Sequence, residues 1–423
     1  VKLYLRTFGC RANQYDTEAV RALAMAGGVS IVATAADADV AIFNRCAVTA
    51  EAEADLRQQV RRAARDNPAL RSVIMGCASA LPDRGGAASL RALPGVERTL
   101  AGADLAGVAD VLGVMPSAAS RTVQQGGSRA LLRIQDGCDE HCTFCATTLA
   151  RGANRSRDPE SLVAEARLLA AHHPEIVLTG VHIGSYGMDL GSTLGRLVDR
   201  LVADVPIVRF RLSSIEATEV DDHLAALLTA SPGRVAPYLH APLQSGSDRL
   251  LRRMGRHWYT AAAYALAVER IASRAAVFGL GADLIAGFPG ETGADHRATC
   301  DLVSSLPFTS LHVFPWSARP GTAAERLPGH VPGEVARDRA RELRSLGAAA
   351  EVAHRARRSG GAADVVVCGA GEGRTGVTED YLSVLPADPT VPRGARFDAR
   401  LRLDGDRLIA GVRPPDRLPA AGP

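Results

Sequence analysis

Lysine is almost missing: Lys2 is the only one in 423 residues, and every other basic side chain among the 49 Lys and Arg is arginine. With Ala and Gly abundant, this is the mark of a coding bias. The arginine count therefore carries no argument for nucleic acid, and the net charge of +3 carries as little. No run of about 18 apolar residues occurs, which excludes a membrane-crossing helix. Eight cysteines at scattered positions are too few to staple a chain of this length. Val1–Arg6 starts a strand-like pattern without a secretory signal. With the scattered thiols, that sets the expectation of a cytoplasmic protein. Hydrophobic content of 47% and charged content of 22% are those of a globular protein, with about three domains of roughly 150 residues.

What is present is concentrated in Gly137-Cys138-Asp139-Glu140-His141-Cys142-Thr143-Phe144-Cys145, a C-x3-C-x2-C loop just after the apolar run Ala130–Ile134. Zinc ribbons pair two C-x2-C units and need a fourth ligand, but the next cysteine is Cys300. An iron–sulfur cube held by three thiolates keeps one iron without a protein ligand. A substrate or cosubstrate binds there, so the spacing reads as a reactive cluster. The plainer alternatives are a zinc site with His141 as fourth ligand, or thiols with no metal.

Strands alternate with helices around this loop. In residues 1–115, Leu3–Leu5, Val40–Phe43 and Val73–Met75 read as strands, with helices from Asn13 to Met25 and from Ala50 to Asp66. That is the pattern of a doubly wound parallel sheet, class α/β. Cys10, Cys46 and Cys77 each follow one of these strands, and such loops share one edge of a parallel sheet. Three thiols meeting there suit a second cluster with an open iron; three buried, inert thiols are the alternative. Residues 116–128 read as a polar linker. Within 129–330, strands at Leu131–Gln135, Ile176–Thr179, Ile207–Leu212, Pro237–His240, Val277–Leu284 and Ser310–Phe314 predict six βα units in a barrel that is not fully closed. Its chemistry belongs at the carboxyl ends of the strands. A helix, Glu334–Arg358, fills the linker 331–360. Short runs in 361–415 predict a small β-barrel, and 416–423 a disordered tail. Arg151, Arg155 and Arg157 follow the cluster loop, either to meet RNA phosphates or as a solvated face. Cys300 reads as a core thiol, and Cys368 as a strand residue that does not bind metal.

The loop Cys138–Cys145 resembles the signature of the radical S-adenosylmethionine (radical SAM) enzymes, whose open iron chelates the amino and carboxylate groups of SAM. Thr7-Phe8-Gly9-Cys10-Arg11-Ala12-Asn13-Gln14-Tyr15-Asp16-Thr17-Glu18 and Cys46-Ala47-Val48-Thr49-Ala50-Glu51-Ala52-Glu53 resemble the N-terminal domain of the methylthiotransferases, a branch with an auxiliary cluster on three such cysteines. The Asn13–Glu18 run is most similar to the bacterial enzymes acting on threonylcarbamoyladenosine in tRNA. The chain departs from the family pattern at Arg45, at Ala78-Ser79-Ala80, and at Ala146–Ala150, where a segment with Pro and an aromatic is usual.

The resemblance implies a central partial (β/α)6 radical SAM barrel and a C-terminal TRAM-like, RNA-binding β-barrel. It implies two 4Fe–4S clusters, on Cys138, Cys142 and Cys145 and on Cys10, Cys46 and Cys77, with SAM as cosubstrate. Gly180, Ser213, Gln244 and Asp283 are then candidates around SAM, with Phe144 beside its adenine. His182, His240 and Glu216 are candidate acid–base or hydrogen-bonding groups, both histidines reading equally as satisfied core residues. The implied reaction puts a methylthio group on carbon 2 of the adenine, with sulfur from the auxiliary cluster. Implied partners are tRNA and an electron donor such as flavodoxin or ferredoxin, with no membrane, the protein being a monomer. Isopentenyladenosine in tRNA and an aspartate of a ribosomal protein are the alternative substrates. A redox-sensing RNA-binding iron–sulfur protein and a zinc-binding interaction protein are the readings of another class.

Overall fold

Successive side chains of a strand point to opposite faces, and in the first domain both faces are dry. The computed structural model describes residues 1–46, 50–80, 87–115, 124–369 and 374–412. Residues 47–49, most of the expected linker and the expected tail lie outside them. Five parallel strands, β1 (Lys2–Phe8), β2 (Ser30–Val32), β3 (Val40–Arg45), β4 (Arg71–Gly76) and β5 (Val96–Ala101), run in the order β2-β1-β3-β4-β5. Val40 and Ile42 join Leu3, Val73 and Met75 under helices α1 (Arg11–Ala26) and α4 (Leu105–Leu112). Ala41 and Phe43 join Ile74 under α2 (Ala50–Asp66) and α3 (Ala87–Arg91). The edge strands and α3 and α4 are additional to the expected elements. β5 exposes Glu97 and Arg98, so its apolar signal is weak. The loops after β1, β3 and β4 lie side by side at the carboxyl edge.

Six parallel strands form the second domain: β6 (Ala130–Arg133), then, beyond a small pair β7 (Gln135–Asp136) and β8 (Arg155–Ser156), β9 (Glu175–Thr179), β10 (Arg209–Leu212), β11 (Tyr238–His240), β12 (Gly279–Ala286) and β13 (Ser310–Pro315). Parallel bridges Phe210–Val235 and Ser214–His240 join the two three-stranded halves into one arc, the expected partial (β/α)6 barrel. Leu132, Leu178, Phe210, Leu239 and Leu284 face outward into the helical layer. Their strand neighbours face inward, and several of these are charged. Glu175 accepts from Arg209 at 2.6 Å and Arg211 at 2.8 Å, all three fully buried.

The C-terminal strands β14 (Ala362–Val367), β15 (Gly376–Val377), β16 (Ser383–Pro386), β17 (Arg396–Asp404) and β18 (Arg407–Val412) close a five-stranded barrel, the TRAM-like architecture expected. β15 is too short to be seen in a hydrophobic pattern. Cys368 falls just past β14 instead of within it. The loop after β15 plugs the amino end of the larger barrel: Arg211 donates to the carbonyls of Thr378 and Glu379, and Tyr381 stacks on Tyr238 at 4.6 Å. A long helix, Gly333–Arg358, ties the two barrels together through His354 and Arg358, which hold Asp380 at 2.8 and 2.9 Å. Burial raises that carboxyl, yet the bonds from His354, Arg358 and Thr378 win and hold it down at about 2. A depressed carboxylate stabilises the fold above its unfolded pKa and loses that contribution as pH falls through its folded one. The expected loss is on the order of 2 kcal/mol between about pH 4 and pH 2. Denaturant unfolding across that range should show it in the wild type and not in Asp380→Asn, which should start less stable at neutral pH. No helix among the described residues is long and apolar enough to cross a membrane.

Candidate active site

β7 and β8 pair antiparallel and close the base of the loop that carries Cys138, Cys142 and Cys145. Buried Gln135 clamps it: Nε2 donates to the Gly137 carbonyl and Asn154 Oδ1 at 2.6 and 2.7 Å. Its Oε1 accepts the backbone N–H of Val181 and His182 at 3.0 and 2.9 Å. Gly137 has φ +74°, and a Cβ there would lie 1.9 Å from the Ala153 carbonyl oxygen, so no other residue fits. Backbone N–H groups of Glu140 and Thr147 donate to the sulfurs of Cys138 and Cys145. Arg256 Nη1 donates to Cys142 Sγ at 3.5 Å while its other nitrogens hold Glu216 and Tyr259. Burial nevertheless pushes the Cys142 thiol up to about 12. His182 bridges Cys138 Sγ (3.7 Å) and Glu219 (2.7 Å); burial opposes its charge, but those two bonds raise it to about 10.

Cys10, Cys46 and Cys77 leave β1, β3 and β4 at their common edge. The Cys10 thiol donates to Asn13 Oδ1 at 3.1 Å, Cys77 Sγ lies 4.0 Å from the same oxygen, and Cys46 hydrogen-bonds Cys10. Asn13 is itself locked to Asn44 by bonds of 2.8 and 2.7 Å. Gly9, at φ +137°, lets Cys46 close in: a Cβ there would lie 2.2 Å from the Cys46 Cβ. The bond with Cys46 pulls the Cys10 thiol down to about 6, with Asn13 and Arg151 adding to it.

The second cysteine set is tied to the stretch after the cluster loop by Arg151, on the five-residue helix α5 (Thr147–Arg151). Neither expectation for Arg151, RNA phosphate or solvated face, holds. Its side chain is 3% exposed. Nε donates to Cys77 Sγ at 3.1 Å, Nη2 to Asp16 at 2.6 Å and Nη1 to Asp136 at 3.1 Å. Asp16, fully buried, also takes Arg133 at 2.6 Å, and Cys77 packs on Ala146 and Ala150. Arg157 is likewise engaged, with Glu165 and Tyr15, so of the three only Arg155 is exposed. The Asn13–Glu18 run is thus a docking seam. Asn13 holds the thiols, Tyr15 and Asp16 grip the barrel domain, and Glu18 accepts from the Gly126 N–H at 3.1 Å.

The remaining expected residues ring the carboxyl ends of the strands. Phe144 packs edge-on to Phe288 at 6.3 Å. Gly180 ends β9, pressed against Gln135. Ser213 ends β10, its buried Oγ without a hydrogen-bond partner. Gln244 adopts φ +62°, a conformation costly for a side-chain-bearing residue. Asp283 accepts from His240 at 3.0 Å and lies 3.3 Å from His312, so His240 is a partnered residue facing the barrel interior. Glu216 is committed to Arg256. Cys300 is half-buried beside His296. Arg256 and Gln135 were invisible as site residues and Arg151 was read for another role, because the partners that define them lie far away in sequence.

The donor set fits iron–sulfur clusters. Tetrahedral zinc at about 2.3 Å from each sulfur brings thiolates to roughly 3.8 Å from one another. Among the described residues only His240–Asp283–His312 and His296–Cys300–Glu342 close to single-ion spacing, and none of the six cysteines is in either set. A cube spreads its thiolates more widely and accepts the N–H···S bonds seen here, and each set offers three thiolates of that kind. The orphaned Ser213 hydroxyl fits a polar cosubstrate bound above the cube.

Residues 2–89 match the model described as "Uncharacterized protein family UPF0004", and residues 132–303 match the Radical SAM superfamily. The threonylcarbamoyladenosine tRNA methylthiotransferase MtaB of Rickettsia prowazekii is 38% identical, over 81% of this chain and 82% of that protein. Its namesake in Bacillus subtilis is 35% identical over 80% and 79%. The tRNA-2-methylthio-N(6)-dimethylallyladenosine synthase of Cereibacter sphaeroides is 33% identical over 82% of each. Among solved structures, the radical SAM methyltransferase TsrM from Kitasatospora setae superposes with a TM-score of 0.57, at 16% identity over 77% of this chain and 75% of that one, a likeness of fold. With both family regions present and relatives aligned along four-fifths of its length, the chain belongs to the radical SAM methylthiotransferases.

Proposed function

We propose that the protein adds a methylthio group to carbon 2 of N6-threonylcarbamoyladenosine beside the anticodon of tRNA. The observation that carries this reading is Arg151, which reaches from the helix directly after the Cys138–Cys145 loop to Cys77 of the second trio. Cys138, Cys142 and Cys145 would hold the cluster that binds SAM, and Cys10, Cys46 and Cys77 a second one. When bound, the first cluster with SAM supplies a carbon radical able to take hydrogen from an unactivated aromatic carbon, and the second supplies sulfur.

The chain's own residues do the rest. Gln135 and Gly137 hold the cluster loop rigid; Arg256 and Arg151 each give one N–H to a sulfur, which favours the reduced, more negative state of whatever those thiolates bind. Ser213, Gln244 and Asp283 offer hydrogen bonds at the strand ends, and Phe144 an apolar wall. Asp16, pinned by Arg133 and Arg151, sets the distance between the two sites, which proximity makes decisive. On the C-terminal barrel, Arg400 and Arg402 point outward from one strand and suit tRNA phosphates. A flavodoxin or ferredoxin as electron donor, a monomeric state and a cytoplasmic location complete the reading.

Support for the substrate comes from the two relatives at 38 and 35% identity, both threonylcarbamoyladenosine enzymes; the dimethylallyladenosine relatives, at 32 to 33%, mark the second reading. Mass spectrometry of tRNA nucleosides from a deletion strain decides between them. The methylthio threonylcarbamoyl nucleoside should disappear. Its persistence, with loss of the methylthio dimethylallyl nucleoside, would transfer the assignment to the second substrate.

A further inference from the structure

Most of the cations around the barrel interior have a carboxylate: Arg129 and Arg211 share Glu175, and Arg133 has Asp16. Arg11 has none among the described residues. It follows Cys10 directly, at the first position of α1, and is half-buried. Its guanidinium donates to the Tyr381 hydroxyl at 2.7 Å and lies over that ring at 5.7 Å. It also lies near enough to His312, on the inner face of β13, to oppose protonation there.

A cavity of about 380 Å³ opens between the sheet domain and the inner face of the barrel, with Thr7, Arg11, Gln14 and Glu18 on one wall and Arg129, Leu131 and Val177 on the other; Glu18 is taken up by Arg21 and the Gly126 N–H. That is the size of a small ligand group. A guanidinium partly withdrawn from water gains most from an anion, and its best partner is a carboxylate, which it grips with two parallel hydrogen bonds.

The two substrate classes differ in this one respect. The threonylcarbamoyl substituent ends in a free carboxylate and a hydroxyl, whereas the dimethylallyl substituent is a hydrocarbon. Resting on the function proposed above, we infer that Arg11 binds the carboxylate of the N6 substituent and thereby selects threonylcarbamoyladenosine over adenosine or its hydrocarbon-bearing forms.

The test uses the reconstituted full chain and two tRNAs, one with threonylcarbamoyladenosine and one with plain adenosine at the same position. The wild type should favour the first, and Arg11→Gln should lose roughly 10- to 100-fold of that preference, chiefly through KM. Arg11→Lys should recover part of it. Amidating the threonylcarbamoyl carboxylate should cost the wild type a similar factor and the Gln variant little. Iron content checks that Cys10 is undisturbed; if the Gln variant loses iron, Arg11→Lys and the amidated substrate decide in its place. Full preference in an iron-replete variant, or indifference of the wild type to amidation, overturns the inference while leaving the proposed function standing. A wild type inactive on the threonylcarbamoyl tRNA overturns both.

Discussion

With Cys10, Cys46 and Cys77 replaced together by alanine, the protein should still cleave SAM to 5′-deoxyadenosine under anaerobic reduction and deliver no methylthio group to RNA. The separation follows from topology. The three thiols belong to the edge of the parallel sheet, while the loop with Cys138, Cys142 and Cys145 is braced by Gln135, Gly137 and the β7–β8 pair, all within the barrel domain. Removing three small side chains from the sheet edge leaves that brace intact. What disappears is every thiolate able to hold a sulfur donor opposite the radical site. Chromatography of the nucleoside released from SAM, alongside mass spectrometry of the RNA, reads both halves. Surviving methylthiolation would mean that the sulfur comes from elsewhere. Loss of SAM cleavage in a protein that keeps its barrel folded would mean that the two sites are one.

Arg151→Ala should be the most damaging single substitution outside the cysteines. It removes the group that bonds Cys77, Asp16 and Asp136 at once, and leaves Asp16 fully buried with only Arg133. Breaking a buried pair in this way costs about 3–5 kcal/mol. The chemical effect should be of comparable size, since a displacement of about 1 Å between reacting groups costs roughly a hundredfold in rate, or about 2.7 kcal/mol. Denaturant unfolding measures the first and single-turnover methylthiolation the second. Arg151→Lys, which keeps the charge but not the three-way fork, should recover stability better than rate. If Arg151→Ala were as stable and as active as the wild type, the seam would not set the spacing between the sites.

The cysteine trios were legible because their signal is local. C-x3-C-x2-C lies within eight residues, and a thiol after each of three buried strands needs only the rule that parallel strands end on one edge. The six barrel strands were legible for the same reason, as short apolar runs between amphipathic helices. The arginines were misread because exposure is a tertiary property. Arg151 and Arg157 follow the cluster loop in sequence, but their partners Asp16, Cys77 and Tyr15 come from another domain. The Asn13–Glu18 run stood out as a family resemblance; its physical content, a seam that holds two domains and cradles two thiols, emerges only once the domains are docked. Arg256 sits more than a hundred residues beyond Cys142 in an unremarkable stretch, so nothing local marked it. The Cys368 boundary failed by one residue, as strand ends do when a turn begins on a small apolar side chain.

The central claim is that each cysteine trio holds a cube of its own. Iron and acid-labile sulfide counted on anaerobically reconstituted protein test it most directly. The account predicts about eight of each per chain, falling by half when Cys10, Cys46 and Cys77 are replaced and by half when Cys138, Cys142 and Cys145 are. About four irons in the wild type, all lost with one trio and none with the other, would contradict it.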